Sequence, residues 1–374
     1  MILRLNQWFL AVCCCAVVAA PAIAQKSGAT KEPVVKYTIK WMGNPFNLND
    51  FVSGGYHVGD INNNGQVVGQ VENQNGASSA FVYTVDSGIM VLDLLPAMAP
   101  LSAQGWATFN AEGINKYGQM AVRMRKTVGG VVIKGLFRYD PPSVDYPEGV
   151  FVSIQEAGVG VISAINNWGD IAFSSYDTAG IASWRLSVGG VISTPLMGGA
   201  PIPANFVSDL NDLGQVVGVS NGNLVRYDSF SGTSLVLGKS GSQRAGINSI
   251  GEVAFPLDVP KGRGVQTKPA RFSDGVLQVL GDAGTAWDIN EDGDVCGRAG
   301  NSVGVFLRQG GTVVVDSEVT GTLSDVNKWK SIVGFQGLVI NDRDLTGFGQ
   351  LCGEAWVPNG TGSYRSELYL LTPY

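Results

Sequence analysis

A ten-residue pattern recurs along the chain and constrains its fold more than any other feature. The clearest copy is Asp60-Ile-Asn-Asn-Asn-Gly-Gln-Val-Val-Gly69, an Asn-x-x-Gly core between short apolar segments. The equivalent asparagines of the seven copies, of which the last is degenerate, are Asn62, Asn115, Asn166, Asn211, Asn248, Asn290 and Asn341. The six steps from first to last cover 279 residues, a mean of 46.5. That is the size of a four-stranded propeller blade.

The Asn-x-x-Gly core predicts a tight β-hairpin. Asparagine at the first position of a type I turn can bond the backbone N–H two residues on, and glycine at the fourth position permits the positive φ of a G1 bulge. Apolar residues on either side of the core supply the two strands. The pattern therefore predicts the first hairpin of each repeat.

Two further strand-like segments follow each hairpin. Aromatic and apolar third strands are predicted seven times, at 81–83, 136–139, 184–186, 224–227, 271–272, 305–307 and 368–371. Fourth strands are predicted only six times, at 91–94, 151–154, 191–193, 235–237, 277–280 and 313–315. The last repeat has no fourth strand before Tyr374.

An alternating segment at Val35–Trp41 can repair this mismatch by pairing with the last repeat. A closed ring gains from such an offset because it leaves no open joint between blades, whereas a β-solenoid or stacked sandwiches do not need it. We therefore predict an all-β fold, a seven-bladed β-propeller over residues 35–374, with solenoid and sandwiches as the alternatives. Deleting the N-terminal strand should then destabilise the last blade.

The repeat, the opening Tyr37-Thr-Ile39 strand and the closing Leu370-Leu-Thr-Pro373 resemble bacterial extracellular proteins with HAF repeats. The resemblance covers residues 35–374 and implies a propeller-like fold, but no reaction. Related chains often continue into a sorting segment or a dockerin. Because this chain stops at Tyr374, we do not expect anchoring by such a tail.

The N-terminus has the pattern of an export signal. Arg4 precedes the apolar run Trp8–Ala20, and Ala22-Ile23-Ala24 then meets Gln25. This predicts a signal peptide over residues 1–24 with cleavage after Ala24, followed by a linker at 25–34. We expect a periplasmic or extracellular protein. No other stretch reaches about 18 apolar residues, so no membrane span is expected.

Charge narrows the range of partners. Residues 25–374 carry 24 Lys and Arg against 31 Asp and Glu, a net charge of −7. Such a chain has no basic stripe to displace counterions from phosphate, which argues against a nucleic-acid partner. We expect a monomer that binds a protein or a carbohydrate and needs no cofactor, with Ca²⁺ as the one candidate ion.

Two of the turns have the spacing of a Ca²⁺ loop. Oxygen-bearing side chains at positions 1, 3 and 5 precede a glycine, as in EF-hand loops. The stronger set is Asp288, Asn290, Asp292 and Asp294, and the weaker set is Asp60, Asn62 and Asn64. Both loops lack the acidic residue at position 12, where Ala299 and Val71 stand, so a plain turn is the alternative.

The common signatures of metal enzymes are absent from the sequence. His57 is the only histidine, and no HExxH, paired-His or Cys-x-x-Cys motif exists. Paired carboxylates from different blades leave no sequence signature, so a polysaccharide hydrolase or lyase stays open. Our leading hypothesis is a binding module without a reaction, and the carboxylate enzyme is the alternative.

Cysteines and loop aromatics complete the candidates. Cys296 and Cys352 could form a disulfide in an exported protein, although equivalent positions on adjacent blades would usually be too far apart, so two buried thiols are the other reading. Long interblade loops are the best binding candidates. Exposed rings there would stack on sugars or peptides, or they would fill the gaps between blades. The candidates for this ligand face are Phe46, Tyr56, Trp106 and Trp329.

Overall fold

Seven sheets of four or five strands, one for each repeat, make up most of the described part of the chain. The computed structural model describes residues 35–43, 56–72, 77–177, 180–203, 206–240, 244–315, 319–320, 334–342, 348–358 and 364–374. Within each of the first six sheets, the spatial order of the strands follows the chain order. We name these strands a to d, with a next to the central channel. The protein is a seven-bladed β-propeller, as the repeat predicted.

The strand bounds run as follows. Blade 1 is Tyr56–Ile61, Val67–Glu72, Ser78–Thr84 and Gly88–Val91, and blade 2 is Ala107–Ile114, Met120–Val128, Val131–Asp140 and Val150–Gln155. Blade 3 is Val159–Ile165, Ile171–Tyr176, Ala182–Val188 and Val191–Ser193, and blade 4 is Phe206–Leu210, Gln215–Ser220, Asn223–Asp228 and Thr233–Lys239. Blade 5 is Gly246–Ile247, Val253–Lys261, Gly264–Ser273 and Val276–Val279, and blade 6 is Gly284–Ile289, Val295–Ala299, Ser302–Phe306 and Thr312–Val314.

Blade 7 joins the two ends of the chain. Its strands a to c are Gly334–Ile340, Leu351–Pro358 and Tyr364–Pro373, and its fourth strand is the N-terminal Tyr37–Trp41. This strand runs antiparallel to strand c, with Tyr37 opposite Pro373 and Trp41 opposite Tyr369. The predicted ring closure is confirmed. A fifth short strand, Val319–Thr320, pairs parallel to Tyr37–Trp41 on its outer side.

Two interblade connections carry structure of their own. Between blades 1 and 2 lie 3₁₀ turns at Leu92–Leu94 and Pro96–Met98 and one helical turn at Ala99–Ser102. The strand predicted at 91–94 is therefore wrong in its bounds: strand d ends at Val91, and Leu92 turns inward, fully buried. Between blades 3 and 4 a small hairpin pairs Leu196–Met197 with Ala200–Pro201. No helix in the described residues is long and apolar enough to cross a membrane.

The hydrophobic core lies between the blades. Each of the seven interfaces between neighbouring blades has its own cluster of buried side chains. This explains the Val-Val pair of the repeat, because successive residues of a strand point to opposite faces. Val67 packs against blade 7, and Val68 packs against blade 2. A blade buried on both faces needs apolar residues at consecutive positions, not alternating ones.

The turn of the repeat has the predicted geometry. In the first six copies the glycine N–H donates to the asparagine carbonyl oxygen at 2.9–3.1 Å, as in Gly65 to Asn62. These glycines have φ between +70° and +84°, which a residue with a Cβ adopts only under strain. In the seventh copy the turn is longer, since Asn341 closes on Gln350 nine residues on instead of four.

The asparagine side chains also link neighbouring blades in a closed ring. In every repeat the Nδ2 atom donates to the backbone carbonyl oxygen of the equivalent asparagine in the next blade, at 2.9–3.3 Å. The ring runs from Asn62 through Asn115, Asn166, Asn211, Asn248, Asn290 and Asn341 back to Asn62. All seven are at most 7% exposed. Their Oδ1 atoms accept backbone N–H groups within their own turn, as Asn62 does from Gln66 at 3.1 Å.

Replacing one ring asparagine by aspartate should destabilise the whole propeller. Asn211→Asp removes the Nδ2 donor to Asn248 and sets a buried charge against that carbonyl oxygen. A buried polar group left unsatisfied costs about 1–3 kcal/mol, and more when charged. Urea unfolding should show this loss, whereas the exposed Asn301→Asp should leave the free energy of unfolding unchanged within error. Equal stability of the two variants would contradict a structural role for the ring.

Deleting the N-terminal strand should weaken the closure. Val35 and Ile39 are each 3% exposed, and burying such side chains contributes about 1.5–3 kcal/mol apiece. We expect a chain that begins at residue 25 to melt well above the same chain without residues 25–43 in calorimetry. The matched control lacks only residues 25–33 and keeps the strand. If both truncated proteins melted like the intact one, the closure would contribute nothing to stability.

Candidate functional site

The channel at the centre of the ring widens into a cavity where the innermost strands begin. Its volume is about 210 Å³. Strands a of several blades and the residues just before them form its wall. The lining is His57, Gly59, Asp60, Glu112, Ala164, Phe206, Val207, Ser208, Asp209, Arg244, Ala245, Trp287, Asp288 and Val339. We call this space the central cavity. It is smaller than the roughly 300–1,000 Å³ typical of pockets for drug-sized ligands.

Three aspartates form a narrow acidic belt at the floor of this cavity. Asp60, Asp209 and Asp288 stand at the same repeat position, directly before the Ile-Asn or Leu-Asn of blades 1, 4 and 6. The same three residues also line a second depression, of about 190 Å³, at the turn end of the channel. We call them the acidic belt because they separate the two spaces.

Each carboxylate of the belt also connects two blades. Asp60 Oδ1 accepts the N–H of Ile61 at 2.7 Å, and its Oδ2 accepts the N–H of Ile114 in blade 2 at 3.0 Å. Asp209 bonds Leu210 and Ile247, and Asp288 bonds Ile289 and Ile340, in the same way. These backbone N–H donors hold the three carboxylates in the channel.

Burial sets the proton affinity of the belt. Desolvation raises the pKa of Asp60 from 3.8 to about 7 and that of Asp288 to about 6. Desolvation, with the charges of Asp288 and Asp60, also raises the pKa of Asp209 well above its usual value. Hydrogen bonds from the backbone oppose the shift at all three residues. The belt therefore changes its charge near neutral pH.

A chain of three polar side chains crosses the mouth of the cavity. Arg244 stands just before strand a of blade 5, yet its Nη2 donates to His57 Nε2 at 3.0 Å and to the Val58 carbonyl oxygen at 3.1 Å in blade 1. A guanidinium group only donates, so Nε2 accepts and Nδ1 carries the hydrogen. His57 Nδ1 then donates to Glu354 Oε1 of blade 7 at 2.9 Å. The chain connects three blades over the cavity.

The remaining wall combines charge with aromatic surface. Arg123 Nη2 pairs with Glu112 Oε1 at 3.0 Å, and desolvation raises the pKa of Glu112 despite this partner. Phe206 and Trp287 are both partly exposed in the wall. Carboxylates, a guanidinium group and exposed rings in one small space suit a ligand that has both hydroxyl groups and an apolar face.

In the two predicted Ca²⁺ loops, the side chains that would bind the ion have different partners. Asp60 and Asp288 face the channel, while the Oδ1 atoms of Asn62 and Asn290 accept N–H groups inside their own turns. Asn64 Nδ2 donates to the Lys116 carbonyl oxygen at 3.0 Å.

The acidic residues of the Asp288 loop have separate surroundings. Asp294 is fully buried and its Oδ1 accepts the N–H of Arg308 at 3.0 Å, whereas Asp292 is partly exposed at the third position of the turn. Among the described residues no group of three or more His, Cys, Asp or Glu is arranged to hold a metal ion. The Ca²⁺ loops stay predictions.

The predicted ligand-face aromatics are only partly within the described structure. Phe46 and Trp329 lie outside the described residues, and Tyr56 begins strand a of blade 1. Trp106 is 2% exposed and packs edge-on against Phe137, with ring centroids 5.0 Å apart. Trp106 therefore fills the space between blades 1 and 2, the alternative considered for these rings.

Both cysteines are buried free thiols, which is the reading that the distance between blades favoured over a disulfide. They occupy the same position of strand b in blades 6 and 7. Cys296 faces the interface of blades 6 and 7, and Cys352 faces that of blades 7 and 1. One sheet therefore stands between them. Burial raises the pKa of both thiols well above the usual value.

Sequence reasoning missed Asp209, Glu112, Arg244 and Trp287 as site residues. One signal was present: the residue before Ile-Asn or Leu-Asn is aspartate in three of the seven repeats and a neutral residue in the other four. Because this position faces the axis of a propeller, its acidic copies meet in the channel. No comparable signal marks Arg244, whose role depends on a side chain that reaches blade 1.

Fold and site together define a seven-bladed propeller with an acidic central channel. No family model matches the sequence, and no curated protein matches it. Solved structures with similar folds include a gluconolactonase from Xanthomonas campestris, at 9% identity and TM-score 0.36, covering 91% of this chain and 95% of that one. A PQQ-bound aldose sugar dehydrogenase from Streptomyces coelicolor has 10% identity and TM-score 0.37, covering 92% and 100%.

A third similar structure is an α-L-arabinofuranosidase from Podospora anserina in complex with cellotriose. It has 11% identity and TM-score 0.36, and the match covers 91% of this chain and 97% of that one. Likeness at this level carries no argument about what this chain binds.

The acidic belt should make the protein less stable as pH rises. The folded-state pKa of Asp60, about 7, and that of Asp288, about 6, lie above the usual 3.8, so the native state binds more protons than the unfolded chain between those values. The free energy of unfolding therefore falls as pH rises from about 4 to about 7. Urea unfolding across that range measures it.

The matched variants for this measurement are Asp60→Asn and Asp145→Asn. The first removes one titrating group of the belt and should flatten the pH dependence, while the second changes an exposed carboxylate and should leave the slope as it is. A stability that rises with pH in this range would show that the belt is not protonated as the structure implies.

Proposed function

We propose that this propeller is an exported carbohydrate-binding protein that takes a single sugar ring into the central cavity. The observation that carries the proposal is the meeting of Asp60, Asp209 and Asp288 with Arg244 and Trp287 in one small space open to solvent. Export and kinship with HAF-repeat proteins are part of the proposal, supported by the N-terminal leader pattern and the repeat.

The groups of the cavity complement a polyhydroxyl ligand. Ionised carboxylates accept hydrogen bonds from hydroxyl groups, the Arg244 guanidinium donates to ring and hydroxyl oxygens, and the partly exposed Trp287 offers a flat apolar surface for a sugar face. A cavity of about 210 Å³ limits the ligand to about one ring, so a longer glycan would enter by its end.

A second candidate function is acid–base cleavage of a polysaccharide. Its support is the separation of the pKa values of Asp60, about 7, and Asp288, about 6. At neutral pH the first is about half protonated and the second mostly a carboxylate, so both of the states that a glycoside hydrolase or a lyase uses are populated. This candidate predicts new reducing ends or unsaturated products on incubation with the glycans that bind.

Sugar binding should depend on Trp287 and on pH. A glycan array with the mature protein identifies ligands, and calorimetric titration of the best one then compares variants. Trp287→Ala and Arg244→Gln should each weaken binding by about tenfold or more, since a buried contact of this kind contributes on the order of 1–2 kcal/mol. Affinity should rise between about pH 5 and about pH 8, as the belt ionises and becomes a better acceptor.

The matched control is Trp356→Ala, which removes a tryptophan that is 44% exposed on strand b of blade 7 and does not line the cavity. It should bind as the unchanged protein does. An array without signal above background for any glycan would remove the proposal. Equal losses in Trp287→Ala and Trp356→Ala would place binding elsewhere.

A further inference from the structure

The opposite end of the channel presents an unexplained apolar surface. It consists of the residues two positions after the asparagine of the Asn-x-x-Gly turn in four successive repeats. Those residues are Tyr117, Trp168, Leu213 and Ile250, at 61%, 74%, 57% and 60% exposure. We call them the apolar crescent, because they occupy blades 2 to 5 in order. Among the described residues Lys116 lies over the Tyr117 ring, with Nζ 5.0 Å from the ring centroid.

The position does not require apolar residues. It is the third residue of an exposed type I turn, where blades 1 and 6 carry Asn64 and Asp292. Phe230, which is 98% exposed, lies further out on the same face, in the turn between strands c and d of blade 4. That turn is joined to the Asn-x-x-Gly turn of the same blade, because Ser229 N–H donates to the Gly214 carbonyl oxygen at 3.2 Å. Large apolar side chains that are exposed together on one face of a protein mark interaction sites.

The largest ring of the crescent is held in place. Trp168 Nε1 donates to the Asp212 carbonyl oxygen of the next blade at 3.1 Å, and the Asn167 side chain bonds the Asp212 carboxylate at 2.9 Å. An exposed indole fixed by its own N–H loses little side-chain entropy when a partner packs on it, a property of binding hot spots.

Beside the crescent lies an acidic depression at the turn end of the channel. Among the described residues that line it, Asp212, Glu291 and Asp342 stand at the rim and the acidic belt lies beneath, whereas Lys116 is the one cation. These rim carboxylates accept hydrogen bonds from neutral groups such as Ser249 N–H and Asn167 N–H, which leave the charge in place. Burial raises the pKa of Glu291, and the neighbouring charges of Asp342 and Asp212 raise it further.

We propose that this face docks a basic, partly apolar segment of a partner protein. Apolar side chains of the segment pack on Trp168 and its neighbours in the crescent, and a lysine or arginine enters the acidic depression. The crescent and the rim carboxylates lie outside the central cavity, and the acidic belt is the part of the surface that the two spaces share.

The negative charge of the depression distinguishes between the partners that could bind the apolar crescent. A second copy would face the depression with its own depression, bringing like charges together. Anionic lipid or nucleic acid would meet the same repulsion. A neutral glycan offers no cation, and two of the four crescent residues are aliphatic and lack a ring for sugar stacking.

The test uses the whole mature protein and four labelled synthetic peptides of equal length. One combines lysine with leucine and phenylalanine, the second replaces lysine by glutamate, the third replaces the apolar residues by serine, and the fourth is neutral and apolar. Fluorescence anisotropy should show saturable binding of the first peptide alone. Trp168→Ala should weaken it by about fivefold or more, the effect of losing a hot spot of about 1 kcal/mol.

Further variants separate the two components of the surface. Glu291→Gln with Asp342→Asn should weaken binding and flatten its salt dependence, because both act through charge. Trp356→Ala is the matched control and should change nothing, and Trp287→Ala should affect sugar binding only. Where Trp168→Ala lowers stability, Leu213→Ser at the same face gives an independent measurement.

Three results would overturn the proposal. Binding of the glutamate peptide as tight as that of the lysine peptide would remove the charge argument. Full affinity in both Trp168→Ala and Leu213→Ser would remove the crescent. A dimer of the unchanged protein in sedimentation that Trp168→Ala converts to monomer would make a second copy the occupant.

Discussion

The ring of seven asparagines is the interaction on which the rest of the structure depends. Each Nδ2 atom joins one blade to the next, and the last bond, from Asn341 to the Asn62 carbonyl oxygen, joins residues 279 positions apart. The same side chain closes its own turn through Oδ1, so blade geometry and ring geometry are set by one residue type. Interblade apolar clusters supply burial energy, but they do not specify a register between blades. The directional amide bonds do.

Much of the fold was predictable because propeller blades repeat a physical solution. The Asn-x-x-Gly turn, the Val-Val pair that faces two neighbouring blades, and the missing fourth strand all leave marks at fixed spacing, and the structure has each of them. The strand bounds at 91–94 failed because Leu92 turns into the core instead of continuing the ladder. A local pattern does not show where a chain leaves a sheet.

The site was less predictable, because its members meet only after the ring closes. Asp60 and Asp288 were singled out for Ca²⁺ on the spacing of their loops, yet their carboxylates lie in the channel beside Asp209. Position relative to the axis, not spacing within the turn, decides their surroundings. Arg244 and Trp287 carry no motif, and Trp106, chosen as an exposed ring, is buried between blades.

Some positions of the repeat hold the turn and others are free to vary. The variable positions give the two ends of the channel different chemistry. The asparagine and the glycine hold the turn, so the residues two positions before and two positions after the asparagine are free to vary. The first position builds the acidic belt from Asp60, Asp209 and Asp288. The second builds the apolar crescent around Trp168. Because both sets lie on equivalent innermost hairpins of the ring, one scaffold carries two surfaces, and neither depends on the other's residues for its position.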